Sequence, residues 1–295
     1  MYFDETGKVN SELTTWAFTE NTSLYAYWTA NKYTITFNPN GGNGGTETLE
    51  VTFNAVPENI QIPSREGYTF AGYFDGNVKF FEADGTVSDR DGSKLWNIAN
   101  NKVLLASWTA NEYTVEYNKN GADGTQTMDS SKHTYGTESK LSANLFTKTG
   151  YDFVGWNTQA DGKGASYDNE ATITTLAPSG TIILYAQWKA HEYTVTLVAT
   201  DATSAGTTTI KVTYDQIPGK IPTVAHKEGY DLVGYFTKEN GEGVKFFNAD
   251  GTGANVWNIA EDTILYAYFA ADQVDVTINY HKMNLDGTTY ALFES

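Results

Sequence analysis

Leu24-Tyr25-Ala26-Tyr27-Trp28-Thr29-Ala30-Asn31-Lys32-Tyr33-Thr34-Ile35-Thr36-Phe37-Asn38 reads as one β-like run, a short polar joint and a second β-like run. Apolar and polar residues alternate on both sides of the joint, a period of two that sends one side of a strand inward and the other outward. The reading returns three times. Residues 104–118 are LLASWTANEYTVEYN, residues 184–197 are LYAQWKAHEYTVTL, and residues 265–279 are LYAYFAADQVDVTIN. Tyr33, Tyr113 and Tyr193 stand 80 residues apart, as do Trp28, Trp108 and Trp188, and Phe269 follows after 81. A fixed period of that length marks a tandem array in which each unit buries its own small core.

The seams therefore divide the chain into three complete modules, 31–110, 111–190 and 191–271. Residues 1–30 read as the C-terminal part of a truncated repeat, and 272–295 as the start of a further one. The opening Tyr2-Phe3-Asp4 matches Tyr73-Phe74-Asp75, the middle of a module. On that reading the chain is a fragment of something longer, with any export signal or wall anchor outside it.

Within a module the order is regular. Tyr33, Ile35 and Phe37 alternate with threonines, a Gly/Asn-rich turn follows at 38–45, and a second strand at 48–53 completes a hairpin. A connector holding Pro57 and Pro63 then crosses the sheet as one short helix or an irregular segment, since prolines rule out a long helix. The third strand carries the run Gly67-Tyr68-Thr69-Phe70-Ala71-Gly72-Tyr73, and the last ends at Trp108. No window sustains a 3.6-residue apolar period. The expected fold is mostly β with a small α+β character: tandem β-grasp-like modules of about 80 residues, strung through short joints into an elongated, semi-rigid, monomeric array.

Composition excludes several function classes. With 36 acidic residues against 19 basic ones and a net charge of −17, the chain has no basic patch for nucleic acid or an anionic membrane. There is no cysteine, hence no disulfide, thiolate nucleophile or sulfur-held metal. No run of 18 apolar residues is present to insert in a membrane. A module array without disulfides points to an intracellular protein or a bacterial surface protein.

The pattern Y-T-[IV]-x-[FY]-N-x-N-G-[GA], then G-Y-x-[FL]-x-G-[YW], then L-Y-A-x-W resembles the Listeria–Bacteroides repeat, the B-repeat of internalins. It occurs here as residues 33–42, 67–73 and 24–28 and again in later copies. The third copy departs from it, with Ala199-Thr200-Asp201-Ala202-Thr203-Ser204 in place of the glycine-rich turn. The resemblance implies a β-grasp-like fold in tandem arrays of large bacterial surface or secreted proteins, serving as stalks and sometimes as interaction modules. It brings no catalytic residues and no cofactor.

Trp28, Trp108 and Trp188 end the last strand, and Trp16, Trp96 and Trp257 precede it; a module this small needs them as core. Trp156, which replaces Tyr73 and Tyr235, joins the outward-alternating Tyr25, Tyr27, Tyr185, Tyr266 and Tyr268 as candidate contact surface for a host or cell-surface protein or glycan. Asp84-Gly85-Thr86-Val87-Ser88-Asp89-Arg90-Asp91-Gly92 has a calcium-loop look without the ligand spacing of one. The histidines His133, His191, His226 and His281 show no metal-ligand spacing. Lys79, Lys211 and Lys245, each flanked by apolar residues, are the candidates for a lysine isopeptide staple, against the ordinary reading as snorkelling surface lysines. The expectation is a non-catalytic segment of a bacterial extracellular or cell-surface protein.

Overall fold

The computed structural model describes residues 3–4, 6–9, 19–273, 276, 280–283, 287 and 290–293. Nearly every regular element among them is a strand, so the mostly-β expectation holds. The first sheet comprises β1 (Lys32–Asn38), β2 (Thr48–Thr52), β3 (Tyr68–Asp75), β4 (Val78–Phe81) and β5 (Lys102–Ala110), in the spatial order β2-β1-β5-β3-β4. β1 and β2 form the expected antiparallel hairpin, with Tyr33 opposite Val51 and Ile35 opposite Leu49. β5 then enters between β1 and β3, parallel to the first and antiparallel to the second.

Residues 111–190 repeat the arrangement with β6 (Glu112–Asn118), β7 (Ser131–Thr134), β8 (Ser139–Lys140), β9 (Tyr151–Asn157), β10 (Ser166–Tyr167), β11 (Thr172–Ile173) and β12 (Gly180–Ala190). The sheet order is β10-β9-β12-β6-β7, and β8 and β11 form a separate pair. Residues 191–271 contribute β13 (Glu192–Val198), β14 (Thr209–Thr213), β15 (Tyr230–Phe236), β16 (Lys245–Asn248) and β17 (Thr263–Ala271), ordered β14-β13-β17-β15-β16. A hairpin of β18 (Tyr280–Met283) and β19 (Tyr290–Phe293) follows. The chain divides into two compact units, Met1–Ala110 and Asn111–Ser295.

The connector between second and third strands, for which the sequence left a short helix open, is irregular and extended. Backbone bonds that a helix would make internally go instead to neighbouring loops. Ile60 N donates to Gly85 O at 3.0 Å, and Thr46 N donates to Gln61 O at 3.0 Å. In residues 191–271, Ile221 N donates to Gly251 O at 2.9 Å and Thr207 N to Thr223 O at 2.8 Å. Each connector drops aliphatic surface into the core: Ile60 from the first, Leu141 from the second, and Ile221 with Ala225 from the third. The one helical piece among the described residues is a 3-10 turn at Glu239–Gly241.

Alternation decides what fills the cores. Ile35 and Leu104, Val115 and Leu184, Val195 and Leu265 are all fully buried from adjacent parallel strands. Trp96 and Trp257 are buried as expected, while Trp108 and Trp188 are half-buried and anchored by Nε1 donating to Pro39 O and Lys119 O. Trp16 lies outside the described residues. A shared kink sits in the third strand, where the register slips at Gly72 and Gly234 and, opposite Gly155, between Gln187 and Trp188. Their φ angles are 127°, 148° and 135°, and a Cβ at each would lie 2.4, 2.4 and 2.7 Å from the carbonyl oxygen of Phe81, Phe247 and Tyr167. A β-bulge of this kind admits only glycine.

The leading copy of the seam does not follow the later ones. Residues 21–31 contain no strand, and Leu24 and Trp28, expected inward, are exposed. Leu104 is buried because β5 is flanked by β1 and β3; no described strand flanks residues 24–28 in that way.

Candidate interaction surface and the seam of residues 111–271

The six outward candidates separate into three groups. Tyr25 and Tyr27 are 90% and 79% exposed on the irregular leading segment. Trp156 is withdrawn from the set: it is fully buried, its ring 4.9 Å from Tyr117, 5.0 Å from Phe153 and 6.2 Å from Phe146. The β9 position that holds it faces the core, as Tyr73 and Tyr235 do in their own sheets, because the glycine bulge just before it resets the alternation. Tyr185 and Tyr266 are half-buried on the outer side of the last strand, at equivalent positions: Tyr185 pairs with Asn118 and Asn157, Tyr266 with Val198 and Phe236. Tyr268 shares that side but is partly covered, its ring edge-on to Phe236 at 6.1 Å and lying against Gly241 of the 3-10 turn.

In the loop with a calcium-site look, the first carboxylate is turned on its own backbone. Asp84 Oδ1 accepts from Thr86 N at 2.9 Å and Thr86 Oγ1 at 2.7 Å, which closes the loop on itself and lowers the Asp84 pKa. Asp250 does the same with Thr252. Among the described residues no group of three or more acidic or histidine side chains is placed to hold a metal. The isopeptide candidates are surface lysines: Lys79 pairs with Glu82 at 3.0 Å, Lys211 Nζ donates to Thr194 Oγ1, and Lys245 lays its methylenes beside Gly234.

What the sequence reading missed is how β12 hands the chain to β13 through the single residue His191. His191 N donates to Gly150 O at 2.8 Å, and Tyr214 N donates to His191 O at 3.0 Å. The ring of Tyr214 lies against Gly150 so closely that a Cβ there would come within 2.4–2.6 Å of it. Tyr151 meets Tyr214 edge-on at 5.8 Å and donates its hydroxyl to Asp215 Oδ2 at 3.0 Å. Tyr193 closes the cluster on Tyr214 at 6.4 Å, and His191 Nε2 lies 2.6 Å from Asp152 Oδ1. Burial and then the Asp215 carboxylate push the Tyr151 phenol pKa up. Residues 111–190 and 191–271 keep separate cores yet belong to one compact unit, and this latch joins them.

The signal for the latch was present as a turn, Lys148-Thr149-Gly150-Tyr151, repeated as Arg65-Glu66-Gly67-Tyr68 and Lys227-Glu228-Gly229-Tyr230. In all three the tyrosine N donates to the cation residue's carbonyl at 3.1 Å, and the cation stacks 4.0–4.4 Å from the tyrosine ring centre. Asp272 N donates to Gly229 O at 3.0 Å, as His191 does to Gly150.

Three sheets of one topology, with aromatic turns at their ends, define a tandem-repeat β array. The Listeria-Bacteroides repeat domain matches residues 33–103, 113–187 and 193–268, and the chain belongs to that repeat family. Among its relatives, a protein of Evansella cellulosilytica provisionally named a membrane protein is 30% identical over 177 residues, 58% of this chain and 24% of its own length. A second from the same organism, provisionally named a Gly-rich membrane protein, is 27% identical over 220 residues, 74% of this chain and 23% of its own. Internalin H of Listeria monocytogenes is 30% identical over 167 residues, 54% of this chain and 26% of its own. The chain thus spans about a quarter of the length of each relative. No helix of the described residues is long and apolar enough to cross a membrane.

Proposed function

We propose that this segment is a non-catalytic spacer of a bacterial cell-surface or secreted protein, holding other parts of that protein at a set distance. The latch carries the reading: one residue separates β12 from β13, and Tyr214 packed on Gly150 removes the freedom that a flexible linker would have. Family membership and the likeness to internalin H and to two proteins named for membranes support a surface location.

The chain has no cysteine, so two introduced cysteines, one on β7 and one on β16, take spin labels at unique positions. The inter-label distance distribution is expected to be narrow. Gly150→Ala broadens it by displacing Tyr214, whereas Gly229→Ala, strained by a similar φ but with open space around it, leaves it narrow. A broad distribution in the unmodified chain overturns the spacer reading.

A second reading, weak multivalent adhesion to a host protein or glycan, draws on the half-exposed Tyr185 and Tyr266 at one repeat position. Binding on a glycan or host-protein array that disappears in the double variant Tyr185→Ser, Tyr266→Ser supports it; no binding by the unmodified chain removes it.

A further inference from the structure

At the position where the first and third sheets bury Val51 and Val212, the second buries His133, 5% exposed and opposite Tyr113 in the register. The imidazole stacks on the Tyr113 ring at 5.5 Å. Its Nε2 lies 2.7 Å from Ser131 Oγ and its Nδ1 2.7 Å from Ser139 Oγ. Ser131 Oγ is in turn 2.9 Å from Tyr117 Oη, which accepts from Ser142 N at 2.8 Å.

The two serine hydroxyls serve both nitrogens of a neutral imidazole, one donating to the ring and the other accepting from it. A second proton makes both nitrogens donors to neutral hydroxyls and places a charge in a site where the residue is only 5% exposed, which costs desolvation energy.

The surroundings offer the cation nothing in exchange. The ionisable groups on the packed elements are Tyr113 and, through Ser131, Tyr117 on β6, Tyr167 on β10 beside Tyr113, and the exposed Glu112, Glu116, Lys132, Glu138 and Lys140. Among the described residues no carboxylate forms an ion pair with His133.

We propose that residues 111–190 are an acid-labile link in the array, with His133 as the group whose protonation opens it. The neighbouring modules carry valine there and lack the trigger. Burial lowers the His133 pKa, so the unfolded chain takes up the proton at a higher pH than the folded one. Stability is then present above the ordinary histidine range and is lost as pH falls below it.

Hydrogen exchange of the intact chain, read peptide by peptide and normalised to unstructured rates, tests this. Between pH 7.5 and 5.0, opening of β6 and β7 is expected to rise about tenfold, with β1, β2, β13 and β14 unchanged. His133→Val, which copies the other modules, abolishes the difference. Equal acid response in all three sheets, or its persistence in the valine variant, overturns the proposal. Should that variant not fold, the imidazole carbon resonances of the unmodified chain decide alone: a His133 titrating at the ordinary histidine value overturns it, and one that stays neutral until the module opens supports it.

Discussion

Trp156, Tyr73 and Tyr235 occupy one position with three different solutions for the same buried volume. Trp156 lies between Tyr117, Phe153 and Phe146 and supplies the indole that Trp96 and Trp257 supply from the irregular segment ahead of the last strand in their own modules. Trp156→Ala is expected to cost about 3–5 kcal/mol in denaturant titration, confined to residues 111–190. Tyr235 Oη accepts from the buried Ala225 N at 2.8 Å, whereas Tyr73 Oη has no hydrogen-bond partner among the described residues. Tyr235→Phe therefore strands an amide and costs about 1–3 kcal/mol, while Tyr73→Phe is neutral or mildly stabilising. Equal costs in melting experiments would contradict that assignment. The period-two alternation made Trp156 look outward because it cannot register a one-residue bulge; Gly155 carried that information, and reading it demands knowing which glycines adopt positive φ.

At the scale of elements, the third strand depends on its glycine and the connector on its clamps. Gly155→Ala is expected to destabilise by about 2–4 kcal/mol, since it adds both φ strain and a clash with Tyr167 O. The measurement is chemical unfolding with Gly124→Ala, which has a positive φ but open space, as the control for strain alone. The first hairpin of each module and the core columns were legible in the sequence because side-chain alternation and turn residues are local signals, while the strand order was not. The crossing was legible only as non-helical or briefly helical: its conformation follows from bonds to loops far along the chain, such as Ile60 to Gly85, which no local pattern encodes. The latch escaped for the same reason. Tyr151 and Tyr214 each looked like a strand tyrosine, and their meeting is a property of two modules together.

For the whole molecule, acid and geometry act in the same direction. The lowered pKa values of Asp84, Asp123 and Asp250 arise from their threonine hydroxyl and amide donors. A depressed carboxylate contributes stability that is present above its unfolded pKa near 3.8 and is lost as pH falls through the folded value. Two acid steps are expected in a pH titration followed by exchange: residues 111–190 first, at the histidine, then every module in the carboxylate range. Thr86→Val and Thr252→Val shrink the second step in their own modules without moving the first.

In each five-stranded sheet the first and last strands of a module lie side by side and parallel, β1 with β5, β6 with β12, β13 with β17. The chain enters by one and leaves by the other, so a pull on the two ends drags them in opposite directions along a shared ladder. All rungs then bear the load together instead of parting one at a time. The ladder has six paired positions between β6 and β12 against four in each of the other sheets. Under tension at neutral pH the middle module should yield last, and in acid first, making tensile strength the property that a change of pH redistributes among the modules.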